Sequence, residues 1–169
     1  MERIIYTERL VLRPPNESDA PDVFEWVGDP VVNRFMPYPV YQNVDQVRKW
    51  LGQLKDENNV FGFVLKSTGK VIGSGSVTYS FEENTYRLGY NLNRAFWNQG
   101  YATEAAKAII DWAYENLGAR EFTARHANAN PASGKVLLKC GFAFERYGQY
   151  SRYDNSETFE ASYYKLPLD

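Results

Sequence analysis

The sequence WNQGYATEA at residues 97–105 has the residue types and spacing that could hold an anion. Gly100 stands just before a run that continues with the pattern of an amphipathic helix. Because the first backbone N–H groups of a helix have no partner inside it and carry the positive end of the dipole, they suit a phosphate. We therefore predict an anion cradle (residues 97–105) for a phosphate-bearing cofactor. An ordinary loop before a helix is the alternative that this stretch alone leaves open.

Composition and charge narrow the classes of function. The 169 residues are 44% hydrophobic and 24% charged, which is typical of one globular domain with its own core. A formal net charge of −2 argues against nucleic acid as the main partner, because binding its phosphates needs a basic face. The one cysteine, Cys140, excludes an intrachain disulfide, and with the one histidine, His126, it argues against a Cys/His zinc site. We therefore predict no metal site.

The N-terminal sequence MERIIY at residues 1–6 lacks the pattern of a signal peptide. No apolar run in the sequence reaches the length that a membrane span requires. We therefore predict a cytoplasmic protein without a membrane partner.

Periodicity, capping residues and turn signals predict a mixed α/β sheet in a single domain over residues 1–169. The predicted order is β-α-α-β-β-β-α-β-α-β-β. The predicted strands are residues 3–13, 60–66, 71–81, 84–93, 121–127, 142–150 and 158–166. The predicted helices are a short one that Gly28 ends, one from Asn43 to about residue 57, one at about 102–117, and one from Pro131 to Gly141. Because the third helix joins the fourth and fifth strands, we expect those strands to be parallel neighbours.

An aromatic loop is predicted at residues 31–42, which contain several aromatic residues and prolines at 37 and 39. This loop could lie on the surface, held down by its aromatic side chains. It could equally form one wall of an acceptor pocket, because loops with exposed aromatics often carry specificity. An exposed aromatic loop could also serve a homodimer interface.

Four motifs in order resemble those of the GNAT superfamily of N-acetyltransferases, and within it the RimJ/RimL-type branch. TERLVLR at residues 7–13 is similar to the opening strand of that branch, and LGYNL at 88–92 is similar to its fourth strand. FWNQGYATEA at 96–105 resembles its pyrophosphate loop and helix start. NPAS at 130–133, followed by KCGF at 139–142, resembles its second cofactor motif. The resemblance covers essentially the whole chain.

The resemblance implies acetyl-coenzyme A as co-substrate and a primary amine as acceptor, either a protein N-terminus or a small molecule. It also implies that the fourth and fifth strands splay apart around the pantetheine arm, and that one N–H of the fourth strand stabilises the oxyanion. The backbone groups that it assigns to the pyrophosphate are those of Gln99, Gly100, Tyr101, Ala102 and Thr103. The backbone groups that it assigns to the pantetheine amides are those of Asn91, Leu92 and Asn93.

Two residues of the second cofactor motif are expected to act through their side chains. The resemblance implies that Asn130 hydrogen-bonds the pantetheine and that Ser133 donates a proton to the departing thiolate. The alternative is purely structural, with Asn130 as the helix cap and Ser133 facing solvent in the first turn.

The general base is the open question, because an amine must lose a proton before it attacks. Relatives often place a Glu two residues before the position of Gly89, and this sequence has Arg87 there. Glu82, Glu83 and Glu104 are carboxylates nearby in the sequence that could act through water. Arg87 also motivates an alternative function, a non-catalytic acyl-coenzyme-A-binding module.

Overall fold

The computed structural model describes residues 3–169. The N-terminal sequence for which we predict no signal peptide begins with Met1 and Glu2, and these two residues lie outside the described range. The strands are β1 Ile5–Tyr6, β2 Leu10–Arg13, β3 Val60–Leu65, β4 Val71–Ser80, β5 Thr85–Leu92, β6 Glu121–Ala127, β7 Ala143–Ser151 and β8 Thr158–Pro167. The helices are α1 Ala20–Val27, α2 Val44–Gln53, α3 Tyr101–Asn116 and α4 Pro131–Lys139. Within this range the strands form one mixed sheet in the order β1-β2-β3-β4-β5-β6-β8-β7. The predicted α/β fold is confirmed.

The N-terminal segment differs from the single strand predicted over residues 3–13. It is a tight hairpin in which β1 pairs antiparallel with β2. Thr7 makes the turn, since its N–H donates to the carbonyl of Leu10 at 2.9 Å and its hydroxyl accepts from the Leu10 N–H at 3.0 Å. Threonine commonly makes such local hydrogen bonds to the backbone, and here they interrupt the strand.

Helix α3 packs against the sheet through the side chains that its periodicity predicts. These buried residues are Ala105, Ala106, Ile109, Ile110 and Ala113. The alanines let the helix lie close to strands β4 and β5, because they add little volume between helix and sheet. The first two helices form a separate buried cluster with the sheet, and α2 begins at its predicted cap but ends earlier than predicted, at Gln53.

Strands β5 and β6 are parallel neighbours, as predicted for strands joined through a long helix. They pair only near their beginnings, at Tyr86 with Phe122 and Arg87 with Thr123. Beyond these pairs the two strands diverge, while β5 stays paired with β4 up to Leu92. The predicted splay is therefore present, and it opens a gap between the carboxyl halves of β5 and β6.

Gly73 lies on β4, and a glycine inside a strand predicts a bulge or a close backbone approach. A Cβ atom on Gly73 would lie 2.5 Å from the carbonyl oxygen of Asn91 and 2.9 Å from the ring of Phe63. Because those neighbours are backbone and a buried ring, we expect Gly73→Ala to lower the free energy of unfolding by about 1–3 kcal/mol. Urea denaturation measures this change.

Gly62 on the adjacent β3 provides the control for that substitution. The nearest atoms to a Cβ there are 3.5 Å away, which is ordinary contact. Gly62→Ala should therefore leave stability unchanged or raise it slightly, because alanine restricts the unfolded chain. Equal urea midpoints for the two variants would contradict the close approach at Gly73.

Candidate active site

The anion cradle forms a turn that ends in the first turn of α3. Gly100 has φ +83°, in the left-handed region that favours glycine, and no side chain among the described residues caps the helix. Within residues 3–169, no acceptor takes the backbone N–H groups of Gln99, Gly100, Tyr101, Ala102 or Thr103. These donors therefore remain free at the positive end of a long helix, where they can bind an anion.

A polar network holds the cradle against the N-terminal hairpin. Glu104 accepts from the Thr7 hydroxyl at 2.6 Å, the Arg9 N–H at 2.9 Å and the Arg9 Nε at 2.8 Å. Arg9 also donates to the carbonyl of Gln99 at 2.9 Å and lies 4.0 Å from the centre of the Tyr101 ring. The carboxylate of Glu104 is thus fully engaged in holding the cradle, which leaves it no part as a base acting through water.

The surroundings of Glu104 fix its charge. Burial raises the pKa of this carboxyl, but the hydrogen bonds from Thr7 and Arg9 outweigh burial, so the net pKa lies below the ordinary value. Glu104 therefore stays ionised at neutral pH and binds its donors through charge-assisted hydrogen bonds.

The backbone of β5 gives the gap a different lining from the predicted one. Asn93 donates its N–H to the carbonyl of Ile72, on the β4 side. Since successive residues of an antiparallel strand point their backbone groups alternately, Asn91 also faces β4, whereas Tyr90 and Leu92 face the gap.

Of the two residues whose backbone groups face the gap, Leu92 already has hydrogen-bond partners for its N–H and its carbonyl. Its N–H donates to the Asn91 side chain at 3.0 Å, and its carbonyl accepts from the Trp97 indole at 2.8 Å. Tyr90 therefore presents the free backbone groups, in place of the predicted Asn91, Leu92 and Asn93.

Asn91 instead fastens the aromatic loop to the sheet. Its side-chain amide donates to the Tyr38 hydroxyl at 2.7 Å and to the side-chain oxygen of buried Asn33 at 3.2 Å. From another side of the loop, the Tyr150 hydroxyl donates to the carbonyl of Phe35 at 2.7 Å. The loop is held over the sheet at both places and forms one wall of a cavity.

That cavity has a volume of about 1660 Å³ and extends from the aromatic loop, through the gap between β5 and β6, to the anion cradle. Its lining includes Gly100 and Tyr101 at one end and Tyr38 and Tyr150 at the other. One continuous space thus reaches both the free N–H groups and the loop wall.

Ser133 and Asn130 both lie along the cavity. Ser133 is half-buried, and its hydroxyl lies 2.8 Å from the Tyr90 hydroxyl, which also donates to the Ser133 carbonyl at 2.9 Å. Burial raises the pKa of Tyr90 more than its hydrogen bond with Ser133 lowers it, so this hydroxyl stays protonated. Asn130 precedes α4 but makes no side-chain cap, so its amide group is available to a ligand.

Arg87 lies on the opposite face of β5 from the Tyr90 side chain, at the position where relatives often carry a base. It pairs with Glu83 at 3.1 Å, and one Glu83 oxygen and the Arg87 Nε are buried with no hydrogen-bond partner in the described chain. His126 is committed elsewhere, because Nδ1 lies 2.7 Å from the carbonyl of Ala127 and Nε2 lies 3.2 Å from the Tyr164 hydroxyl.

Sequence reasoning missed the position of Tyr90. The alternation of a strand over residues 85–92 places Tyr86, Leu88 and Tyr90 on one face, towards the helix that carries Ser133. The sequence could therefore predict the face on which Tyr90 lies. The 2.8 Å approach of its hydroxyl to that of Ser133 depends on how α4 packs, which the sequence pattern does not give. Arg125, which also lines the cavity, carried no such signal.

Two further classes of site are absent from the part of the chain that the structure describes. Residues 3–169 contain no cluster of His, Cys, Asp and Glu that could hold a metal ion. None of the helices in this range combines the length and apolarity needed to cross a bilayer.

Comparisons with known proteins agree with this geometry. A family model described as "Acetyltransferase (GNAT) domain" matches residues 9–143. The uncharacterized N-acetyltransferase p20 of Bacillus licheniformis is 31% identical over 147 residues, which cover 83% of each chain. A solved GNAT-family acetyltransferase from Bacillus anthracis superimposes with a TM-score of 0.86 at 24% identity, over 97% of this chain and 98% of that one. The microcin C7 self-immunity acetyltransferase MccE, solved with acetyl-CoA and AMP, gives a TM-score of 0.81 at 19% identity, over 95% and 93%.

The Glu104 network yields a prediction about pH. Since the folded-state pKa of Glu104 is lowered, its contribution to stability is present above the unfolded pKa and is lost as pH falls through the folded pKa. Glu104→Gln should therefore cost about 2 kcal/mol of unfolding free energy at pH 7 and progressively less below about pH 4. Urea denaturation across that range measures the difference. A cost that stayed constant down to about pH 3 would contradict the assignment.

Proposed function

Because the chain belongs to the GNAT acetyltransferase family, we propose that this acetyl-CoA-dependent N-acetyltransferase moves the acetyl group to a primary amine by direct attack. The acceptor is a protein N-terminus or a small molecule. The observation that carries the proposal is the row of free N–H groups from Gln99 to Thr103, whose middle residues 100–102 line the same cavity as the gap beside Tyr90. A phosphate-bearing group fits the free N–H groups, and an extended amide-containing arm fits the gap between the strands.

Donor binding is assigned to groups that the fold leaves free. The backbone of Tyr90 pairs with the pantetheine arm, since the backbone groups of Asn91 and Asn93 face β4. The amide of Asn130, which does not cap α4, supplies a further contact to that arm. The N–H groups that hold the pyrophosphate are those of Gln99, Gly100, Tyr101, Ala102 and Thr103.

In the proposed reaction a carbon–nitrogen bond forms as the carbon–sulfur bond breaks, and the amine gives up a proton while the thiolate gains one. The Tyr90 N–H, which faces the gap, stabilises the oxyanion. Ser133 donates its proton to the sulfur and regains one from the Tyr90 hydroxyl, 2.8 Å away, and the proton released by the amine restores that hydroxyl. Burial raises the pKa of the Cys140 thiol to about 11, which keeps it protonated and supports direct transfer over an acyl-cysteine intermediate.

The finer assignments rest on the sequence motifs. These motifs support membership of the RimJ/RimL-type branch and a single catalytic domain over residues 1–169. A cytoplasmic location and a homodimer stay predictions. The alternative of a non-catalytic acyl-coenzyme-A-binding module is not favoured, because the chain's family is one of acetyltransferases.

The direct test combines binding with turnover. Isothermal titration with acetyl-CoA should show saturable binding, and thiol release should follow when amines and Ala- or Ser-starting peptides are added. Binding without release from any member of a broad panel would support the non-catalytic alternative. Absence of binding would remove both functions.

Gly100 offers a test of the anion cradle. A Cβ atom there would lie 3.3 Å from the Arg9 guanidinium, on a residue whose φ of +83° suits glycine. We expect Gly100→Ala to weaken acetyl-CoA binding at least about tenfold, because displaced N–H groups lose charged hydrogen bonds of about 1.5–3 kcal/mol each. Isothermal titration measures the dissociation constant.

Gly118, just beyond the other end of α3, is the matched control. It has a similar φ of +67°, and a Cβ there would meet no atom within 4 Å. Gly118→Ala should therefore share the backbone strain but keep the wild-type affinity for acetyl-CoA. An equal loss of affinity in the two variants would attribute the effect to general strain and reject the cradle.

Ser133 and Tyr90 are tested by removing one hydroxyl at a time. Ser133→Ala should lower kcat about 10- to 100-fold and change the KM for acetyl-CoA little. The loss is near the low end of what general acid catalysis contributes, because a thiolate leaves readily even without a proton. Tyr90→Phe should lower kcat by less. Ser67→Ala, in the exposed turn after β3, is the control. Wild-type kcat in Ser133→Ala would return this serine to a structural role.

A further inference from the structure

The part of the cavity wall that residues 3–169 form carries cations and no carboxylates. The cations that line it are Arg34, Arg87, Arg125, Lys135 and Lys139, whereas no Asp or Glu of the described chain does so. The lysines lie on α4, and the arginines lie on the aromatic loop and on the diverging strands. A cationic lining of this kind favours negatively charged groups inside the cavity.

Arg125 and Arg87 stand on the same face of the sheet, on either side of the gap. Arg87 is the register partner of Thr123, and Arg125 follows Thr123 by two residues on β6, so the alternation of side chains places both arginines on one face. Arg125 makes no ion pair within residues 3–169. Its guanidinium carbon lies 4.6 Å from the centre of the Tyr150 ring, and its one hydrogen bond in that range reaches the Tyr163 hydroxyl at 3.4 Å. Most of its donors are therefore free.

Arg87 is only partly satisfied. Its Nη2 contacts Glu83 at 3.1 Å, but that carboxylate also faces Arg146 at 3.9 Å, and the buried Nε of Arg87 has no partner in the described chain. Arg34 differs, because both of its terminal nitrogens pair with Glu157 at 3.1 Å. Among the arginines, the unneutralised charge thus belongs to Arg125 and, in part, to Arg87. Lys135 and Lys139 also make no ion pair within residues 3–169, but they lie on α4, towards the face of β5 opposite to Arg87.

This arrangement selects among amines. A polycationic acceptor would bring further positive charge against guanidinium groups in a partly desolvated space, which is unfavourable. An acceptor with a carboxylate or phosphate would instead receive charge-assisted hydrogen bonds from the free donors. The same cations favour the neutral, reactive form of the acceptor amine, since a nearby like charge lowers the pKa of an ammonium group.

We propose that the acceptor of this enzyme is a small amine that carries a carboxylate or phosphate group, bound by Arg125, with Arg87 on the same face of the sheet across the gap. The inference rests on the proposed transferase function and specifies its substrate class. It follows from the juxtaposition of an unpaired guanidinium, an under-satisfied one and a cavity wall to which the described chain contributes no carboxylate.

The experiment compares amines that differ in one acidic group. Glycine is paired with glycinamide, and 2-aminoethyl phosphate with ethanolamine, so the two pairs distinguish a carboxylate from a phosphate. For each pair, the ratio of kcat/KM for the anionic member to that for the neutral member is measured in the wild type and in Arg125→Gln. Intrinsic differences in amine reactivity cancel when the two ratios are compared.

We expect Arg125→Gln to lower this ratio about 10- to 100-fold for at least one pair, as the loss of a charge-assisted hydrogen bond implies. Arg125→Lys should retain part of the preference, and acetyl-CoA affinity should be unchanged in both variants. Arg48→Gln is the control, because Arg48 lies on α2 and pairs with Asp45 away from the cavity. A ratio unchanged in Arg125→Gln for both pairs would overturn the proposal.

Titration of the CoA-loaded protein with the N-acetylated form of each compound decides the question without turnover. Tighter binding of the anionic member, lost in Arg125→Gln, supports the proposal. Equal binding of both members, or binding of neither, overturns it. A protein that binds acetyl-CoA and shows this anionic preference but acetylates nothing would count against the transferase function alone.

Discussion

The divergence of two parallel strands, β5 and β6, is the constraint on which the rest of the structure depends. They pair at two positions and then separate, so the carboxyl half of β5 keeps β4 on one side and an open gap on the other. Backbone groups without a strand partner need another one, because an unpaired buried N–H or carbonyl is costly. The chain satisfies Leu92 internally, through Asn91 and Trp97, and leaves the backbone of Tyr90 open to the gap.

The anion cradle is fixed at the end of the gap, so one extended ligand can reach both. Glu104 lies in the first turn of α3, where a carboxylate already interacts favourably with the helix dipole. Here it also binds Thr7 and Arg9, and Arg9 in turn holds the carbonyl of Gln99. The hairpin at the N-terminus therefore fixes a loop about 90 residues away in sequence, and it does so without using any of the free N–H groups.

The chemistry of the cavity follows from which polar groups remain uncommitted. Glu104 is engaged by its hydrogen bonds, and His126 uses both ring nitrogens within the fold. Arg87 and Arg125 instead give one wall of the cavity positively charged side chains. A cationic wall can promote amine attack by favouring the neutral amine, whereas a carboxylate base would accept its proton. Both arrangements meet the requirement that the amine is neutral when it attacks.

Sequence alone determined the fold class and the parallel pair of strands joined by the long helix. It also identified the anion cradle and the second cofactor motif. All four features depend on local periodicity, capping residues and the order of motifs along the chain. Sequence alone did not determine the turn at Thr7, where local hydrogen bonds to Leu10 combine with one to a carboxylate far along the chain. The partners of residues 90–93 were decided by strand register, which sets which backbone groups face the gap. The pairing of Tyr90 with Ser133 and the position of the Arg125 guanidinium over Tyr150 were likewise decided by the tertiary structure, because the packing of α4 and the divergence of β6 position side chains that no local pattern relates.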